Sequence, residues 1–125
     1  MSTIKTSTDI PQSKKLAEIL RSESADMYYH NRADLPDNFP LPIEWKHNNP
    51  LLSQEIPCWS LAALLDILSK TAHSIDEDGS VDLCDYKNIE WSLCLTNTNV
   101  GLFTASNPVD ACYEMIMKLH ELNLL

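Results

Sequence analysis

The chain has 125 residues, 44% of them hydrophobic and 22% charged, the balance of an ordinary globular domain and not of a disordered one. Its eighteen acids against nine bases leave a net charge of −9, which argues against the basic surface that direct nucleic-acid binding requires. No run approaches the ~18 apolar residues of a membrane span, and residues 1–9 lack the apolar stretch of a secretory signal, so a cytoplasmic location without membrane contact is expected.

Residues 1–12 read as a flexible polar leader ending at Ile10-Pro11. From Ser13 to Arg21, Leu16, Ala17, Ile19 and Leu20 oppose Lys14, Lys15 and Glu18, which predicts a short helix capped by Ser13. Between residues 22 and 57, Pro36, Pro40, Pro42, Pro50 and Pro57 exclude long helices. The same stretch holds Met27, Tyr28, Tyr29, Phe39 and Trp45, too many large apolar groups for a free linker. It is expected to lie across the domain with an irregular backbone and pinned side chains.

Residues 57–69 predict a second helix with Pro57 in its first turn, apolar on nearly every face and therefore central. Strand character follows at 72–75, 80–85, 89–95 and 100–104. In the third of these Ile89, Trp91, Leu93 and Leu95 alternate with Glu90, Ser92, Cys94 and Thr96, as a sheet with one buried face demands. The gaps are too short for crossover helices, so the pairing is antiparallel. Residues 107–124 close the chain as an amphipathic helix. Asn107 is its N-cap, Pro108 its first residue and Asp110 the acid at N3, while Val109, Cys112, Tyr113, Ile116 and Leu119 form its apolar face. The sum is one α+β domain over 13–125: a small antiparallel sheet of three or four strands covered on one face by two or three helices.

Chemistry-bearing constellations are sparse. Cys58, Cys84, Cys94 and Cys112 form no CxxC pair and stand at no ligand spacing from His30, His47, His73 or His120, so they read as reduced thiols and not as a zinc site. Gly79 and Gly101 are the only glycines, which argues against phosphate-cradling loops; no cofactor is expected. Aligning Gly79 with the sixth position of a calcium loop places Ser74, Asp76, Asp78, Ser80, Asp82 and Asp85 at ligand positions. The first position lacks a carboxylate and the last is Asp instead of Glu, so a β-turn with solvated acids is the stronger reading and no metal is expected. Cys58, in the first turn of the predicted second helix, would gain nucleophilicity from the helix dipole if a histidine lay within reach, the basis of an alternative reading as a small cysteine hydrolase. Cys58-Trp59 resembles the Cys-Trp pair that opens the active-site helix of papain-like proteases, but Ile56-Pro57 replaces the preceding Gly-Ser. His120, with Tyr113, Glu114 and Glu121 nearby, reads as a cation suited to a helix C-terminus.

Two surfaces remain for partner binding. One is acidic: Asp76, Glu77, Asp78, Asp82, Asp85 and Glu90 stand against a single lysine in residues 76–90, and suit a basic partner protein. The other is aromatic, with Tyr28, Tyr29, Phe39, Trp45 and Trp59 around the proline-rich stretch suited to an extended peptide or partner helix. The expected function is non-enzymatic protein binding.

The segments Gln12-Ser13-Lys14-Lys15-Leu16-Ala17-Glu18-Ile19-Leu20, Glu23-Ser24-Ala25-Asp26-Met27, Ile56-Pro57-Cys58-Trp59-Ser60-Leu61 and Asn107-Pro108-Val109-Asp110-Ala111-Cys112-Tyr113-Glu114-Met115 carry a resemblance. Together they resemble an uncharacterised family of small acidic proteins from bacteriophage and mobile-element genomes of gut bacteria. The similarity runs from about residue 11 to the C-terminus around a variable middle. It implies a phage or mobile-element origin and assigns no residue a role.

Overall fold

Capping decides where each helix begins, and in two of the three it does so at a residue other than the one the sequence pattern suggests. The computed structural model describes residues 5–30, 42–52, 55–86 and 90–125. Helix α1 is Ile10–Ala17. Its cap is Asp9, whose carboxylate accepts from the Gln12 amide at 2.9 Å while the Gln12 side chain accepts from the Asp9 amide. Ser13, expected as the cap, is instead inside the helix and buried. Helix α2 is Leu61–Ile75, capped by Ser60, whose hydroxyl accepts from the Ala63 amide at 3.2 Å. It therefore starts later than Pro57, and it absorbs residues 72–75, which had strand character in the sequence. Helix α3, Pro108–Glu121, starts where expected: Asn107 Oδ1 accepts from the Asp110 amide at 2.8 Å, and the Asn107 amide group returns a hydrogen bond to the Asp110 carboxylate.

Two three-stranded antiparallel sheets accompany the helices. In the first, β1 (Met27–His30) lies between β2 (Ile43–Glu44) and β3 (Glu55–Cys58), with Tyr28 opposite Ile43 on one side and Pro57 on the other. The irregular backbone expected across 22–57 is thus partly a sheet. Pro57 is tolerated because β3 is an edge strand, where a missing amide donor breaks no ladder. In the second, β4 (Val81–Tyr86), β5 (Glu90–Leu95) and β6 (Leu102–Ala105) form a meander. Leu93 and Leu95 are buried and Trp91 half-buried, as their alternation predicts; Ile89 lies outside the described residues.

The α+β class holds. One core joins both halves: Leu64, Leu68 and Ala72 of α2 and Val109, Cys112, Ile116 and Leu119 of α3 meet Leu93 and Leu95 of β5, with Leu16 and Trp59 in the same cluster. Helix α3 packs on β5 and β6, while α1 packs on β3. Each fully buried Leu or Ile contributes roughly 1.5–3 kcal/mol. No helix among the described residues is long and apolar enough to cross a membrane.

Residues 5–12 do not behave as a loose leader. The Thr8 amide donates to Trp59 O at 2.9 Å, the Leu61 amide donates to Thr6 O at 3.1 Å, and Thr8 is fully buried. Thr8 Oγ1 lies 2.8 Å from Ser13 Oγ and accepts from the Trp59 amide at 3.1 Å, so one buried hydroxyl joins the N-terminal segment, α1 and the entry to α2. Among the described residues no buried side-chain N or O atom lacks a partner.

Lys5 fastens the same segment to α3. Its ammonium donates to Asp110 at 2.8 Å, Asp9 at 3.0 Å and Gln12 at 2.8 Å, and Gln12 also donates to Asp110 at 2.8 Å. Burial disfavours the Asp110 carboxylate, but hydrogen bonds from Lys5, Gln12 and Asn107 outweigh it and lower its pKa; burial likewise opposes the Lys5 charge, and the two aspartates overcome it to raise its pKa. A lowered carboxylate pKa stabilises the fold above the ordinary Asp range and is lost as pH falls through the folded value. The raised Lys5 value acts at the other end, lost only as pH rises through it. Asp110→Asn is therefore expected to cost about 1 kcal/mol near neutral pH after solvent screening. Urea unfolding at pH 7 and pH 3 checks this: the native chain should lose more stability between the two than the variant, and parallel losses would rule out the linkage.

Candidate protein-binding groove

Strand alternation separates the two adjacent tyrosines. Tyr29 points inward, is 6% exposed, and donates from its hydroxyl to Thr8 O at 2.6 Å. Burial, reinforced by neighbouring Cys58, pushes its phenol pKa far above the ordinary value. Tyr29, expected on the aromatic contact surface, is thus a core residue. Tyr28 takes the opposite face and lines a groove of about 560 Å³, together with Glu44, Trp45, Leu51, Leu52 and Glu55.

The groove's far wall is the loop after β2. The Trp45 amide donates to Asp26 O at 3.0 Å, extending the β1–β2 pairing by one bond. The Trp45 indole N–H then donates to Asn49 O at 3.1 Å, closing the loop on itself. His47 is stacked on the indole with ring centres 4.0 Å apart, and its φ of 60° lies in the left-handed region that a residue with a Cβ adopts only at a cost. Glu55 braces the opposite end: its carboxylate accepts from the Leu52 amide at 2.8 Å and meets His30 Nδ1 at 3.1 Å. Leu52 stands 57% exposed beside these fixed groups.

The sequence pointed to Tyr28 and Trp45 but missed Leu52 and Glu55. Asn48, Asn49 and Pro50 after Trp45 were the available signal, since they are turn formers that fold the chain back toward β1. Phe39, also expected here, lies outside the described residues, and Trp59, expected here too, is fully buried in the core.

The acids of 76–90 are not gathered on one face. Asp76 ends α2 and accepts from the Asp78 amide at 2.8 Å, while Glu77 and Asp78 are exposed in the turn that follows. Asp82 and Asp85, three apart on β4, point to opposite sides of the sheet, Asp85 level with Trp91. Asp82 accepts from the Cys84 thiol at 3.3 Å, and this carboxylate raises the pKa of the exposed Cys84. Glu90 is exposed at the start of β5. The calcium-loop alignment fares similarly: Ser74 is a residue of α2 whose hydroxyl donates to Thr71 O, and the loop leads into a strand where such a site needs a helix. No group of three His, Cys, Asp or Glu side chains able to hold a metal occurs among the described residues.

Cys58 is not at a helix N-terminus. It ends β3, is fully buried, and has Thr8 as its polar partner, with Sγ 3.6 Å from the Thr8 hydroxyl and 3.4 Å from its carbonyl oxygen. His73 and His120 are exposed on α2 and α3. Cys112 is buried as well, which pushes its thiol up to about 12. At the end of α3, Glu121 pairs with Lys118 at 3.7 Å, and His120 is exposed in the last turn. No protein family, curated protein or solved structure matches this chain.

Proposed function

We propose that the chain is a non-enzymatic accessory protein of phage or mobile-element origin that acts in the cytoplasm by binding another protein through the groove between β1, β2 and the 45–52 loop. The observation that carries this reading is the exposed Leu52 set beside Tyr28, Trp45 and Leu51 in an open groove. A large apolar side chain held in water beside half-buried aromatics gains from a covering partner, and backbone and asparagine amides at the rim offer the polar contacts that orient it. The cysteine-hydrolase reading draws no such support, since the Cys58 thiol is enclosed in the core.

Selection from a displayed library of random peptides tests the proposal. Immobilised native chain is expected to enrich a family of related sequences, and Leu52→Asp, a change at an exposed position, should abolish that enrichment with unchanged circular dichroism. Equal enrichment on the native chain and the variant would exclude the groove as the contact surface.

A further inference from the structure

We infer, independently of the groove, that two copies of this chain associate side by side through β6, joining their three-stranded meanders into one continuous antiparallel sheet. Among the described residues β2, β3, β4 and β6 stand at sheet edges. An edge offers unpaired backbone donors and acceptors to any passing strand, and charged side chains or proline deter such pairing. Strand β2 carries Glu44, β3 carries Glu55 and Pro57, and β4 carries Asp82 and Asp85. Strand β6 reads Leu-Phe-Thr-Ala and carries neither device. Among the described residues its backbone makes no main-chain hydrogen bond beyond the ladder with β5, and Leu102 on it is 63% exposed.

Charge selects a second copy as the occupant. A net charge of −9 makes two copies repel on most approaches, yet residues 91–109, which contain all of β6, hold no Asp, Glu, Lys, Arg or His. Two acidic chains meet at this edge without setting carboxylates against each other, whereas a partner recognised by opposite charge finds nothing there to pair with. The pleat fixes the register. Leu102 and Thr104 share the solvent face with Cys94 and Ser92, while Phe103 and Ala105 share the core face with Leu93 and Trp91. Strands related by a two-fold axis keep their faces only if residues of the same face pair, and an axis at Phe103 satisfies this. Phe103, half-buried already, then stands opposite its own copy, and exposed Leu102 lies against the partner's Thr104.

Sedimentation equilibrium of the full chain between about 10 μM and about 1 mM tests the inference. A reversible dimer is expected, and its dissociation constant should fall several-fold as salt is raised, because screening relieves the repulsion between the two acidic bodies. Leu102→Glu with Thr104→Glu, both at exposed positions, should weaken the dimer at least about tenfold with unchanged circular dichroism. Asn48→Asp with Asn49→Asp adds the same charge in the loop after β2 and should weaken it far less. Hydrogen exchange on the native chain gives a reading that needs no variant: amides within residues 102–105 should gain protection as concentration rises. A chain monomeric throughout that range, a dimer loosened by salt, equal weakening by the two double variants, or β6 amides indifferent to concentration would each overturn the proposal and leave the groove reading untouched.

Discussion

Trp59→Ala is expected to remove about 3–5 kcal/mol of folding stability, a large part of the roughly 5–15 kcal/mol that a domain possesses. Trp59 is fully buried and ranks among the largest enclosed side chains, between the end of β3 and the cap of α2. Its indole N–H donates to Ser24 Oγ at 2.9 Å, tying the short 3₁₀ turn Ser22–Ser24 to the core. Truncation opens a cavity where the 3₁₀ turn, the end of β3 and the cap of α2 meet. Trp59→Phe should cost clearly less, because most of the ring volume remains and Ser24, only half-buried, recovers a bond to water. Chemical denaturation of the three proteins decides the matter; a loss below about 1 kcal/mol for the alanine variant would mean that the site collapses around the gap.

Gly79→Ala is the second large effect, and it arises from backbone proximity. A Cβ at this position would lie 2.3 Å from Ala72 O and 2.9 Å from Asp76 O, both main-chain atoms that no rotamer change can move. The Gly79 amide donates to Asp76 O at 2.7 Å, so the turn is pressed against the last turn of α2 and cannot back away without breaking that bond. A cost of about 2–4 kcal/mol is expected, read as a lowered melting temperature of the alanine variant. Gly101, although at φ 106°, has open space where its Cβ would stand, so alanine there meets only the conformational penalty of about 1 kcal/mol and serves as the control. Similar losses at both positions would show that the contact with α2 yields.

The glycine illustrates what the sequence can and cannot reveal. In the sequence Gly79 fits the sixth position of a calcium loop; in the fold it is required because a helix end lies against it, a fact of tertiary approach. Helix α3 was legible because its cap, its proline and its apolar face all fall within one short window. Helix α2 was misplaced at its start because Pro57 suits a first helical turn as well as it suits an edge strand. What chooses is Tyr28, almost thirty residues away, against which Pro57 pairs. The Asp9–Gln12 capping box lies in the local sequence too, but Ile10-Pro11 reads equally as the end of a polar leader. For residues 72–75, Ile75 and the nearby turn mimic a short strand, and only burial of Ala72 against the core continues the helix through them. The groove was half legible: aromatic residues announce a surface, whereas Leu52 joins it through the backbone fold of 45–52.

The loop that stacks His47 on Trp45 and returns through Asn49 has a thermodynamic consequence. Its conformational entropy is surrendered during folding, so under the binding role proposed above the freezing of motion on association would fall on the visitor. Variation among visitors would then appear mainly in how long each stays, because the receiving wall is preorganised and the speed of arrival is governed by the field around it.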